Sequence, residues 1–506
     1  MRPVRRPRAK VEQPMSTRAE QPPSSTEAGQ RREIIGHPIG LWLLFGTEFW
    51  ERFCYYGMRA ILGPYVALAF FSQYGDQAAS QASLTYGGYT SMVYMTSIIG
   101  GLAADRLLGY QRSIIAGGSL MVVGMLLLLV PTLSVFLLGL SFIIIGTGLL
   151  KPNVSTIVGK LYETSDPRRD SAFTIFYMGI NLGSTFAPII CGAWIGATYG
   201  YIWGFAAAAI GMMLGLVMFA SLRGLLGGVG QLETSRSPAS VASITVLGCL
   251  ALLVPVYLLL SQSDLLGTLL FFVAALIAVY FLVSGFRSGE RVQRHRYIAM
   301  LILFAANIVF WSLFEQAGSS LNFFARDHVS APFDFTVFQA VNPALILLLG
   351  PFYAMMWPRL DRLGLNPTLP VKFALGLFGV GIGYYILVYA CQHLLGADVK
   401  VPWMALVLLY LAHTFGELFL SPIGLSMVTK LSRPQETGLA MGGWFLSIAI
   451  GNYFAGRISA VATAGPPDSI ATYVHVFSQM VWLGCGTAVL LLVASPFIAR
   501  LTHGMR

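Results

Sequence analysis

Glu48-Phe49-Trp50-Glu51-Arg52-Phe53-Cys54-Tyr55-Tyr56-Gly57-Met58-Arg59 places four ionisable side chains inside an apolar stretch that runs from residue 38 to residue 70. A charge at the middle of a membrane helix costs about 2.5–3.5 kcal/mol on insertion scales. A helix whose sole task is to span does not carry four of them. Glu48, Glu51 and Arg52 stand at i, i+3 and i+4 and so share a face. Tyr55 and Arg59 continue that stripe by one and two turns. Such a face lines an aqueous cavity or meets partners on other helices.

The rest of the chain reads as membrane. It has 506 residues, 56% hydrophobic and 11% charged, with a mean hydropathy of +0.70; soluble domains carry roughly 25% charged residues. One apolar segment of about 20 residues follows another, each long enough for a hydrocarbon core of about 30 Å. Bilayers require internally satisfied backbone, so these segments are helices. They are too long and too evenly apolar for barrel strands. The fold class is therefore an all-α polytopic membrane protein. The spans run over 38–70, 82–104, 112–131, 133–158, 171–196, 201–222, 241–261, 264–286, 297–325, 335–357, 370–393, 401–430, 438–463 and 470–499. Fourteen spans put both termini on one side.

Loop charge identifies that side. With the N-terminus inside, the outside loops hold Arg326 and Lys400, while the bulk of the 32 Lys and Arg fall inside, among them Arg106 to Arg112, Lys160 to Arg169 and Arg287 to Arg296. This is the positive-inside pattern of a bacterial inner-membrane protein with cytoplasmic termini. The net charge of +10 is spread over short loops, which argues against a nucleic-acid partner. Cys54, Cys191, Cys249, Cys391 and Cys485 lie in apolar segments without metal-ligand spacing and read as small buried residues. Residues 1–33 are rich in Arg, Pro and Ser and lack the apolar core of a signal peptide. They read as a disordered cytoplasmic tail, in which Met15 offers a second start.

Two loops echo each other. Gly100-Gly101-Leu102-Ala103-Ala104-Asp105-Arg106-Leu107-Leu108-Gly109 follows the second span, and Trp357-Pro358-Arg359-Leu360-Asp361-Arg362-Leu363-Gly364 follows the tenth. They correspond if residues 34–224 and 291–506 are six-helix bundles separated by a linker with two inserted helices at 225–290. Parallel six-helix repeats are the plan of the major facilitator fold, here as 6 + 2 + 6. The two inserted spans read as peripheral, lipid-facing scaffold.

Further charges recur within spans: Lys151, Glu315, Glu417 and Arg457 join Glu48, Glu51, Arg52 and Arg59. Buried ion pairs rarely stabilise beyond an apolar replacement, whereas intramembrane charges mark substrate and ion pathways. Carboxylates beside cations in a poorly solvated cavity bind and release protons as their surroundings change. Entry of one proton charge yields about 2.3 kcal/mol per 100 mV, enough for roughly 40-fold accumulation. Tyr55, Tyr56, Tyr94, Asn181, Asn342 and Trp444 add aromatic walls and amides. An amide at mid-span needs partners. A cavity with both signs of charge suits a small zwitterion, its carboxylate on the cations and its ammonium on a glutamate.

These residues resemble a known family. Glu48-x-x-Glu51-Arg52-Phe53-x-Tyr55-Tyr56 is similar to the signature of the proton-dependent oligopeptide transporters of the major facilitator superfamily. Gly146-x-Gly148-x-x-Lys151-Pro152-Asn153 and Phe176-Tyr177-x-x-Ile180-Asn181-x-Gly183-Ser184 resemble its motifs on the fourth and fifth helices. Phe310-Trp311-x-x-x-Glu315-Gln316, Gln339-x-x-Asn342-Pro343, Gly416-Glu417-x-x-x-Ser421-Pro422 and Trp444-Phe445 resemble later ones. The resemblance implies a proton-coupled symporter importing di- and tripeptides by alternating access, with a proton gradient in place of a cofactor and no metal. It implies that Glu48, Glu51, Arg52, Lys151 and Glu315 serve proton coupling. It gives the peptide carboxylate to Arg59 and Lys151 and the amino group to Glu417 with Asn181 and Asn342. Tyr55, Tyr56, Tyr94 and Trp444 would form side-chain pockets. Arg59–Glu315 and Lys151–Glu417 would be outer and inner gate pairs. The mammalian members carry a histidine on the second helix, and 82–104 has none, so coupling is expected to rest on carboxylates. The same fold with nitrate, an amino-acid-like compound or a drug as substrate, or a peptide sensor that does not transport, stays open. No zinc motif, nucleophile elbow or phosphate loop supports a membrane enzyme.

Overall fold

The structure is a computed structural model and describes residues 33–163, 165–232, 237–466 and 469–503. The tail expected over 1–33, including Met15, lies outside these residues except for Glu33. Fourteen long helical segments follow among the described residues. In the first bundle they are α1 (Ile39–Phe70), α2 (Ala78–Ala103), α3 (Tyr110–Leu127), α4 (Leu133–Lys160), α5 (Arg168–Tyr199) and α6 (Tyr201–Leu222). The insertion supplies α7 (Pro238–Ser261) and α8 (Ser263–Arg287). The second bundle has α9 (Arg291–His328), α10 (Phe338–Arg362), α11 (Leu369–His393), α12 (Trp403–Leu431), α13 (Thr437–Ala462) and α14 (Ile470–Leu501). Each expected span coincides with one helix, its ends displaced by less than two turns.

Twelve of these segments are long and apolar enough to cross a membrane by length and composition. The other two are α1 and α2, of 32 and 26 residues. The first carries the charge stripe, and the second is diluted by Ser, Thr, Tyr and Gly. Both are largely buried against other helices, which is where polar membrane helices are stable.

The packing repeats. In the first bundle α1 packs on α5 and α6, α2 on α4, and α3 on α4 and α6. In the second, α9 packs on α13 and α14, α10 on α12, and α11 on α12 and α14. Raising each number by eight converts one set into the other, as a parallel six-helix repeat requires. The echoed loops agree in detail. Tyr110 donates to Asp105 at 2.7 Å and Asn366 to Asp361 at 3.0 Å, each five residues on. Gly109 and Gly364 close the two loops at φ of 72° and 70°, where a side chain would be strained.

The bundles meet along two seams, α2 with α13 and α5 with α10, again related by the repeat. In the α2–α13 seam a Cβ on Gly87 would fall 2.5 Å from the Gly456 Cα, so the backbones touch. Ser83 and Ser459 hydrogen-bond across it at 2.8 Å. The inserted helices lie outside. Only 17% and 22% of their apolar windows are buried, which fits the expected lipid-facing position. They straddle the bundles, α7 resting on α2 and α4, and α8 on α9 and α13.

Candidate functional site

A cavity of about 310 Å³ opens between the bundles, within the usual range of ligand pockets. Its walls come from α1, α2, α4 and α5 on one side and α9, α10, α12 and α13 on the other. These are the first, second, fourth and fifth helices of each repeat. Of the residues expected from sequence, Glu48, Arg52, Tyr56, Arg59, Tyr94, Lys151, Asn181, Glu315, Asn342, Glu417 and Trp444 all line it.

The stripe on α1 is turned slightly from its expected position. Residues 48, 52, 56 and 59 reach the cavity, whereas Glu51 and Tyr55 sit behind it. Glu51 is fully buried and pairs with Arg52 at 2.5 Å; Glu48 meets the same guanidinium at 3.0 Å. Tyr55 packs on Tyr89 and under Arg52. The physical reason is the 100° step of the helix: 48, 52, 56 and 59 fall within one narrow sector, and 51 and 55 on its edge toward the bundle interior. A single arginine thus balances two carboxylates. Glu48 Oε2 and Arg52 Nη2 keep no hydrogen-bond partner among the described residues.

At one end of the cavity Arg59 donates to Glu315 through Nη2 at 2.9 Å, with both side chains 7% exposed. The geometry depends on a break in α9. The helix tightens to a 3₁₀ turn over Glu315–Gly318 and turns at Ser319. Side chains satisfy the groups that the break frees, as burial in a membrane demands. Gln339 donates to the Ala317 carbonyl, and Gln316 to Ser312 at 2.9 Å and to Ala455 of α13 at 3.1 Å. Asn322, just past the break, donates to the Ala60 carbonyl of α1 at 2.9 Å, tying the bundles beside the ion pair. A Cβ on Gly318 would lie 1.8 Å from the Tyr86 hydroxyl and 2.7 Å from Arg59 Nε, so this end is tightly closed.

The second expected pair is not formed. Among the described residues no ion pair joins Lys151 to Glu417. Lys151 Nζ lies 4.6 Å from the centre of the Tyr94 ring, a cation–π distance. Glu417 accepts from Asn342 at 2.9 Å, and Asn342 also contacts Thr414 at 3.0 Å. Each member thus has a partner in its own bundle, as befits a cavity closed at the Arg59 end and parted at the other. Asn181 donates to the Tyr177 carbonyl of its own helix at 2.8 Å and lines the cavity. Trp444 packs flat against α12, where a Cβ on Gly424 would strike its ring at 2.1 Å. The side chains of Ser421 and Pro422 lie outside the described residues.

Arg457 corrects another expectation. It is half-exposed and pairs at 2.9 Å with the exposed Asp264 at the start of α8. It fastens the insertion to α13 and takes no part in the cavity. The walls also include Tyr410 and His413, which sequence reading passed over. Both precede Glu417 by whole helical turns, so the face marked by Glu417 already implied them.

Comparison with known proteins places the geometry. Residues 111–476 match a profile described as the POT family. The chain is 33% identical to the peptide transporter YePEPT of Yersinia enterocolitica, covering 96% of this chain and 99% of that one. It is 35% identical to a di-/tripeptide transporter of Lactococcus lactis, covering 94% and 98%. A crystal structure of the peptide transporter POT in complex with sulfate superposes with a TM-score of 0.79 at 34% identity, covering 95% of this chain and 99% of that one. With the repeat, the two seams and the charged cavity between them, these matches establish that the chain belongs to the POT family of the major facilitator superfamily.

Proposed function

We propose that this protein is a proton-coupled symporter that imports di- and tripeptides across the bacterial inner membrane, with both termini cytoplasmic. The observation that carries the reading is the polarity of the cavity. Arg52, Arg59 and Lys151 come from the first bundle, whereas Glu315 and Glu417 come from the second. A peptide with free ends fits across it, its carboxylate toward Arg59 and Lys151 and its ammonium toward Glu417, Asn181 and Asn342. A bare anion would leave Glu417 unmatched, which argues against a nitrate-like substrate. The names of the Yersinia and Lactococcus relatives support the same substrate class. The Tyr56, Tyr94, Trp311 and Trp444 rings offer side chains of differing shape a common apolar surface.

With cytoplasmic termini, the end closed by Arg59 and Glu315 faces outward, and the cavity opens inward. Proton and peptide would bind when that pair parts, and the halves would rock about the α2–α13 and α5–α10 seams. Protonation of Glu48 or Glu51 would release part of the hold on Arg52 and couple the proton to that motion. Uptake of labelled dialanine into proteoliposomes, with and without an inward proton gradient, tests the proposal. Gradient-dependent uptake that other dipeptides compete away is expected; uptake indifferent to the gradient, or to dipeptides, overturns it.

A further inference from the structure

Two concave surfaces adjoin where α2 ends, α3 begins and the chain leaves α6. The first is a crevice of about 260 Å³ between the inserted α7 and the α2–α4 pair. Ile99, Leu107, Leu149, Ile244 and Leu252 are among its walls, and almost no polar surface reaches it. Its two threonines are turned into backbone: Thr96 donates to Ile144 at 3.0 Å and Thr245 to Val241 at 2.7 Å. The crevice has a floor because α2 and α4 cross backbone to backbone, where a Cβ on Gly100 would lie 1.9 Å from the Gly148 carbonyl oxygen.

The second surface is a pocket of about 340 Å³ with Arg112 and Arg223 on its walls. Gln111 shapes it by donating to the Val229 carbonyl at 2.7 Å and to Gly227 at 3.3 Å, which pins the segment after α6 against α3. Neither arginine forms an ion pair among the described residues. Leu108 lies on the wall of both surfaces.

We infer that crevice and pocket together hold one anionic phospholipid, an acyl chain under α7 and its phosphate between Arg112 and Arg223. The medium around α7 is the bilayer, and an apolar crevice at that depth fills with hydrocarbon and excludes water. Arginine forks match phosphate oxygens two at a time, and basic pockets between helices at the membrane surface take anionic headgroups. A free phosphate would use the pocket alone. Leu108, on the wall of both surfaces, makes the tail and headgroup surfaces contiguous. The bound lipid adds to the packing by which α7 rests on α2 and α4 of the first bundle, while Asp264–Arg457 fastens α8 to the second.

Native mass spectrometry of the full chain in detergent, titrated with dioleoyl phosphatidylglycerol, dioleoyl phosphatidylcholine or inorganic phosphate, tests this. One phosphatidylglycerol is expected to bind saturably and in preference to phosphatidylcholine. Replacing both arginines, R112Q with R223Q, should weaken it by about tenfold or more, and Gly248→Phe, which fills the crevice without touching the arginines, should weaken it as well. The control pair R287Q with R291Q, basic residues beside the second bundle, should leave it unchanged. Unchanged binding in R112Q/R223Q, equal loss in the control pair, or phosphate displacing the lipid while G248F binds normally would each overturn the assignment. None of these readouts depends on transport.

Discussion

Gly318 gives the most direct test of the closed gate. A Cβ at this position would lie 1.8 Å from the Tyr86 hydroxyl, 2.4 Å from Tyr86 Cζ and 2.7 Å from Arg59 Nε. All three atoms belong to the first bundle, whereas Gly318 belongs to the second. Opening that end therefore relieves the clash, and the closed state alone bears its cost. Overpacking by one methyl group in a filled site costs about 1–3 kcal/mol. At about 1.4 kcal/mol per factor of ten, Gly318→Ala moves the closed-to-open ratio by about 5- to 150-fold. Pulsed electron paramagnetic resonance between nitroxides at the exposed Tyr74 and Val461, one on each bundle at this end, should show a longer population absent from the parent. Dialanine uptake should fall with it, because a gate that does not close cannot deliver substrate inward. An unchanged distance distribution would refute the reasoning, since Tyr86 and Arg59 would then make room without parting the bundles.

Breaking the Arg59–Glu315 pair with Arg59→Glu or Glu315→Arg alone leaves buried charge unpaired at a cost of about 3–5 kcal/mol; uptake should drop more than about 100-fold, and the double exchange should restore a measurable part of it. Glu48→Gln with Glu51→Gln should abolish accumulation driven by a proton gradient while peptide counterflow persists; accumulation that survives would remove the carboxylates from the coupling scheme. Glu436 lies between α12 and α13, outside the membrane spans, and accepts from Ser284 at 2.6 Å, Tyr280 at 3.0 Å and Tyr297. Burial opposes its ionisation, but the hydroxyls of Ser284, Tyr297 and Tyr280 together hold the carboxyl below its ordinary value of 4.5. A depressed acid stabilises the fold above its ordinary value and loses that contribution as pH falls through the depressed one. Glu436→Gln should therefore lower the melting temperature at neutral pH, and the gap should close as pH falls through the depressed value; a gap that persists in acid would assign the loss to packing.

Most of the fold was legible because a bilayer makes one demand, an apolar helix of sufficient length, and hydropathy reports it directly. Even α1, too charged to pass as a span by composition, was marked by the apolar residues around its stripe. The site was legible as a set of residues but less so as a geometry. Tyr55 and Tyr56 flank the stripe of residues 48, 52 and 59 on opposite sides, and sequence alone does not say which flank turns toward the cavity, as Tyr56 does, and which lies behind it, as Tyr55 does. Arg457 was misplaced because hydropathy gives no depth: it lies in the last turns of α13, within reach of Asp264 at the start of α8. The Lys151–Glu417 pair could not be judged from sequence, since whether it is closed belongs to one conformation of the chain.

The backbone of this protein is nearly symmetric and its charge is not. Helices of equal rank in the two repeats supply the cavity walls, and the two seams exchange under the same relation. Yet the cations on those walls come from the first bundle, while the second contributes only carboxylates, Glu315 and Glu417. Symmetry of the frame would let the two open states pack alike, so that rocking between them costs little, as parallel repeats of equal size allow. Asymmetry of charge then decides what tips the balance. Arg59 and Glu315 already meet across the closed end, while Lys151 and Glu417 are held apart by partners in their own bundles. On the proposed function, a zwitterion of the right length would satisfy both at once and draw the parted end together; an ion of one sign would satisfy one bundle and leave the other as it was. A ligand shifts a conformational equilibrium only by its differential affinity for the two states, and on the proposed function that difference would arise from two opposite charges carried at a spacing set by the cavity.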